Sequence, residues 1–322
     1  EQRTQGFAMQ SVMVGMGAIT ASSMPWLLNH LFQVDSLTTG LRRIPLTVEI
    51  AFYVGAGLFL STILWTVCST PERPPDNLEQ FKALKDTRGG LGNSLQQILA
   101  VLTHLPKTML QLAGVQVFTW LGIFCFFIYF PPAVARNIFR AVDLNSPLYN
   151  SGIEWAGLCF AVFNAVCILF SFLLPLLARC ISRKLLHCLC LICGGAGLIL
   201  VGSIDRPSFL LIPMVGFGMA WASAQSIPYA ILTHTIPTQQ RGIYQGIFNF
   251  FIVLPEIGIS LTFGWVMQSF LHDDRLLAVE LGGGFLAIAA LLTLFVQTAD
   301  GVKDNQRADK GKIGGDVVVR NS

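Results

Sequence analysis

Eight stretches of this chain are long and apolar enough to cross a lipid bilayer, and no other feature constrains its folding so tightly. They run over roughly 6–31, 47–69, 108–131, 151–178, 185–204, 209–233, 243–268 and 278–298. A hydrocarbon core of ~30 Å takes about 20 residues of helix to span. A soluble bundle of eight such helices would need a charged coat. Only 12% of the 322 residues are Asp, Glu, Lys or Arg, and 53% are hydrophobic, whereas soluble domains carry about 25% charged residues. A soluble enzyme, a nucleic-acid-binding module and a disordered chain are excluded together. The fold class is an all-α polytopic membrane protein.

Prolines lie inside several runs (Pro25, Pro175, Pro213, Pro228, Pro255). In a membrane bundle, neighbouring helices satisfy the carbonyls that proline frees. Paired small residues such as Gly194, Gly195, Gly282 and Gly283 predict close helix contacts. With the N-terminus inside, the inner segments hold fifteen Lys and Arg and the outer loops six. That bias places both termini in the cytoplasm. The polar segment 70–106 then becomes a cytoplasmic loop between two spans and six. Leu95, Ile98, Leu99 and Leu102 predict a short interfacial helix within it. The tail 299–322 is charged and predicted to be disordered.

Catalysis finds no support. His30, His104, His187, His234 and His272 are scattered near span ends or in a loop, and no Ser/His/Asp set forms. Cys190 and Cys193 have C-x-x-C spacing, but no second Cys pair or His pair stands at ligand distance, so packing explains the cysteines. No metal or other cofactor is expected.

Polar side chains inside spans are the informative ones, because they face a partner or a cavity. Gln245, Asn249, Glu256 and Ser260 fall within about 60° of arc on their helix. Glu256 is the only carboxylate near the middle of a span, where an ionised form costs at least ~2.5–3.5 kcal/mol. Glu154, Gly157, Ala161, Asn164 and Ser171 share one face of 151–178; Trp221, Gln225 and Tyr229 recur every four residues; Gln116, Thr119 and Trp120 sit within one turn. Amides and carboxylates bind hydroxyls, and aromatic rings take the apolar face of a pyranose. The mixture predicts one polar, aromatic cavity suited to a sugar. Each group taken singly is equally well explained by a bond to a neighbouring helix.

The runs VQVFTWLGIFCFFIYFPPAV (115–134), YNSGIEWAGLCFAVFNAV (149–166), AWASAQSIPYAILTHTIP (220–237) and GIYQGIFNFFIVLPEIGISL (242–261) carry a family resemblance. They resemble the major facilitator superfamily, and within it the glycoside–pentoside–hexuronide:cation symporters of the bacterial α-glucoside and sucrose:proton branch. The resemblance implies two six-helix halves, of which this chain holds the last two helices of the first (1–69), the central loop (70–106), the complete second half (107–298) and a tail (299–322), the first four helices being absent. It implies sugar transport coupled to a cation, a proton, by alternating access in a bacterial inner membrane, with no nucleic-acid partner. Gln116, Trp120, Glu154, Asn164, Trp221, Gln225, Tyr229, Asn249 and Glu256 are the substrate-site candidates it leaves in the second half. Export of another small solute, or a fragment unable to transport alone, are the alternatives.

Overall fold

The computed structural model describes residues 2–34, 46–70, 101–103, 105–233, 235–236 and 241–297; for 2–12 and 241 it describes the backbone alone. The expected interfacial helix lies outside these residues except for 101–103, and the tail 299–322 lies outside them entirely. Eight long helices make up the described chain: α1 Gln2–His30, α2 Leu46–Ser69, α3 Lys107–Ala133, α4 Pro147–Cys180, α5 Arg183–Leu200, α6 Leu211–Thr233, α7 Arg241–Ser269 and α8 Arg275–Leu294. Seven of them, α2 to α8, are long and apolar enough to cross a membrane, and α1 at 29 residues has the length. The chain is an integral membrane protein.

Local chemistry sets the helix ends. Ser146 starts α4 by accepting from the Tyr149 N–H, with Pro147 at the first helical position, where its missing N–H costs nothing. Ser182 starts α5 in the same way, accepting from Leu185, and Asp274 starts α8 by accepting from Leu276 and Leu277. At the other end of α8, the Lys184 ammonium donates to the Leu294 carbonyl at 3.0 Å. A cation there answers the unsatisfied carbonyls of a helix C-terminus. Gln297 is held by α3: Thr108 Oγ1 donates to its carbonyl and its N–H donates to Gln111 Oε1.

The helix α3 runs through Pro131 and Pro132 and then widens into a π-helical turn over Val134–Ile138. Two prolines leave carbonyls one turn back without their usual donors. The wider turn restores pairing beyond the prolines: Phe139 donates to the Val134 carbonyl and Ala141 to that of Ala135.

Helices α3 to α8 pack into one body, and α1 joins it by lying along α4, with α2 resting on α1. Glycine makes the tightest crossings possible. A Cβ on Gly122 would stand 2.6 Å from the Gly282 carbonyl oxygen, and one on Gly195 would stand 2.8 Å from that of Gly283. Backbones therefore touch where α8 meets α3 and α5. Gly195→Ala is expected to push α5 from α8 and lower stability by about 1–3 kcal/mol. A thermal unfolding midpoint unchanged in detergent would contradict this. The core beside these crossings is aromatic: Phe126, Phe130, Phe160, Phe163 and Phe217 stack, tilt or meet edge to face at centroid separations of 3.9–5.9 Å. Large apolar side chains face outward on α2 (Phe52, Phe59, Trp65) and α7 (Leu254, Leu261, Trp265), which is the surface lipid accepts.

Candidate functional site

The floor of the candidate site is a tryptophan pair. Trp120 of α3 and Trp221 of α6 meet edge to face, centroids 5.9 Å apart and planes at 70°. Phe127 and Phe163 flank Trp221 at 5.4 and 6.3 Å, so α3, α4 and α6 converge on one ring. One turn before Trp120, Gln116 is fully buried. Among the described residues, neither atom of its amide has a hydrogen-bond partner, and neither does the Trp120 indole N–H. Buried polar groups in native proteins are nearly always paired. Two donors and an acceptor left open beside an aromatic ring are complementary to a molecule that both donates and accepts.

On α6, the only exposed residues between Gly216 and Thr233 are Gln225 and Ser226. A helix side facing lipid would expose apolar residues instead. The Ser226 hydroxyl is bonded to the Ala222 carbonyl, and Gln225, one turn from Trp221, presents an exposed amide. A turn further, half-buried Tyr229 donates through its hydroxyl to Asn249 Oδ1 of α7 at 3.1 Å, and its ring meets Phe248 edge to face at 5.5 Å. This contact joins α7 to the group.

The remaining candidates lie elsewhere. Glu154 is 4% exposed and turned toward α1, where Asn29 Nδ2 donates to its Oε2 at 2.8 Å and its Oε1 at 3.0 Å. Gly157, on the same face, lies against the Ser22 carbonyl, where a Cβ would stand 2.6 Å from the oxygen. Asn164 spends its amide N–H on the Phe160 carbonyl of its own helix. The α4 stripe is thus largely a seam against α1. Glu256, half-buried, lines a separate groove between α7 and α3.

Two polar partnerships escaped the sequence reading. Asn29 carried a signal, an amide within a long apolar run, but a stripe of one residue gives no periodicity. His187 is fully buried on α5, its Nδ1 3.1 Å from Ser223 Oγ, and that hydroxyl donates to the Ala220 carbonyl. The hydroxyl proton being committed, Nδ1 is the donor of the pair. Cys190 is buried and Cys193 exposed, so the two thiols of the C-x-x-C face different surroundings.

Comparison with known proteins agrees with a transporter bundle. The model of the Major Facilitator Superfamily matches residues 1–258. Sucrose transport protein SUT5 of Oryza sativa subsp. japonica is 23% identical over 272 residues, covering 76% of this chain and 50% of that protein. SUT4 of Oryza sativa subsp. indica is 26% identical over 255 residues, covering 70% and 40%. Sucrose transport protein SUC4 of Arabidopsis thaliana is 23% identical over 269 residues, covering 76% and 52%. The chain spans about half the length of the curated relatives it matches. With its apolar helices, its glycine-paired packing and this match over most of its length, the chain belongs to the Major Facilitator Superfamily.

Proposed function

We propose that this protein binds a sugar of the α-glucoside or sucrose kind and carries it across the membrane by alternating access, together with a proton. The observation that carries the reading is that, among the described residues, the buried Gln116 amide and, one turn on, the Trp120 indole N–H have no partner, with the Trp120 ring meeting that of Trp221. A sugar hydroxyl accepts from one neighbour and donates to another, so adjacent hydroxyls suit the amide and the indole N–H together. The apolar face of a pyranose suits the tryptophan ring. Gln225, Tyr229 and Asn249 extend the same wall with groups of the same kind. The names of the relatives supply the sucrose-like substrate, and family membership supplies a site between two halves near the membrane midplane.

In this reading α1 and α2 are the last two helices of the first half, 107–298 is the second half, and α1 on α4 is a contact between halves. Both termini face the cytoplasm, as the Lys and Arg bias supports, and the membrane is a bacterial inner membrane. The test is uptake of labelled sucrose and maltose into vesicles carrying the whole protein, with and without an inward proton gradient. Uptake that an uncoupler collapses is expected. Trp221→Phe is expected to weaken the apparent affinity with protein level in the membrane maintained. Absence of sugar uptake under any gradient would overturn the reading.

A further inference from the structure

Glu256 stands within a residue of the middle of α7 and lines a groove of about 480 Å³ between α7 and α3. Phe124, Val253, Ile257, Ser260 and Leu261 make the rest of the lining. The Ser260 hydroxyl has already given its proton to the Glu256 main-chain carbonyl, at 2.7 Å. Among the described residues, no N–H or O–H donates to the Glu256 carboxylate and no cation pairs with it.

The titratable and charged groups on neighbouring elements are few. On α3 they are Lys107 at its first position, Cys125, buried in the contact with α7, and Tyr129, whose ring lies 5.0 Å from Phe263. On α6 it is Tyr229, bonded to Asn249. Both tyrosines meet α7 seven residues from Glu256, two turns or about 10 Å along the axis. On α8, Asp274 and Arg275 come only after α7 has ended, and the Glu280 carboxyl lies against Gly202, just past the end of α5. Among the described residues, no positive charge stands within a turn.

Three ligands would satisfy such a carboxylate. A sodium ion needs about six oxygens, and a magnesium ion a near-octahedral shell, but the lining offers the carboxylate and one hydroxyl. A sugar needs several hydroxyl partners, and the other four lining side chains are hydrocarbon. A proton needs one oxygen. We propose that Glu256 is the proton-binding group of the transport cycle; this rests on the sugar:proton reading above and adds the residue that performs the coupling. The carboxylate takes one proton from water on the side of higher proton concentration and becomes a neutral carboxylic acid. After reorientation it returns that proton to water on the other side, and no bond of the sugar is made or broken.

The experiment uses the whole protein in proteoliposomes, measuring sugar accumulation under an imposed proton gradient, sugar-evoked alkalinisation of the medium, and sugar counterflow. In Glu256→Gln, accumulation is expected to fall to the equilibrium level and alkalinisation to vanish, while counterflow persists at a reduced rate. Replacing sodium by choline is expected to change nothing in the unmodified protein. If Glu256→Gln accumulates sugar as the unmodified protein does, this assignment falls and the symport reading stands. If the unmodified protein exchanges sugar without moving protons, the symport reading falls and takes the assignment with it. Should Glu256→Gln fail to reach the membrane, Glu256→Asp serves instead. It keeps an ionisable group but withdraws it by one methylene, so the pH profile of accumulation is expected to shift; an unshifted profile overturns the assignment.

Discussion

Replacing Gln116 with leucine is expected to make the sugar-free protein more stable and to remove much of its affinity for sugar. The opposite signs come from one fact: the side chain is fully buried and, among the described residues, both ends of its amide are unpaired. A buried polar group without partners costs about 1–3 kcal/mol, and leucine of similar volume removes that cost. The same substitution takes one donor and one acceptor from the ligand. Loss of these two bonds is expected to raise the apparent Kd about tenfold or more, tenfold being 1.4 kcal/mol. The measurement is the thermal unfolding midpoint with and without sucrose. The unmodified protein should be stabilised by sugar, as any ligand of the folded state stabilises it. The leucine variant should start higher and respond less. A variant that unfolds earlier while keeping its sugar response would show that the amide serves the bundle instead.

The second large effect is expected at Asn29. Its Nδ2 group reaches both oxygens of Glu154, a carboxylate that is 4% exposed. Hydrogen bonds to charged groups contribute about 1.5–3 kcal/mol each, and a buried charge that loses one keeps its desolvation cost. Asn29→Leu is therefore expected to destabilise by about 2–3 kcal/mol and to loosen α1 from α4. Asn29→Leu with Glu154→Leu should recover much of that loss, because hydrocarbon then faces hydrocarbon. A double-mutant cycle on unfolding free energies gives the coupling, and a coupling indistinguishable from zero would contradict the pairing.

The seam also shows what the sequence can and cannot say. Spacing placed Glu154, Gly157, Ala161 and Asn164 on one face of α4, and they do share a side. Periodicity fixes a face but not the neighbour it meets. The structure sets Glu154 and Gly157 against α1, and Asn164 turns to its own backbone. For Trp120 and Trp221 the sequence supplied depth, and the folded chain supplied the meeting of rings from helices a hundred residues apart. Helix positions were legible because twenty apolar residues in a row have few alternatives. The π-helical turn at 134–138 was not. Pro131 and Pro132 read locally as a helix end, and it is tertiary packing, with Val134 and Ile138 in the core and Gly152 of α4 against Ala135, that rewards continuing the coil past them.

Gly282 and Gly283 have a mechanical consequence. These consecutive residues of α8 touch the backbones of two different helices, the first Gly122 of α3 and the second Gly195 of α5. Side chains in contact can change rotamer and absorb a displacement. Main chains in contact cannot, so α8 acts as a stiff spine that passes any tilt of α3 directly to α5. Motion is left to joints built from side chains, such as α7 on α3, whereas α1 meets α4 through the Ser22 main chain at Gly157. That joint carries Glu256, so the carboxylate proposed to take up the proton stands where side chains, and not main chains, hold two helices together.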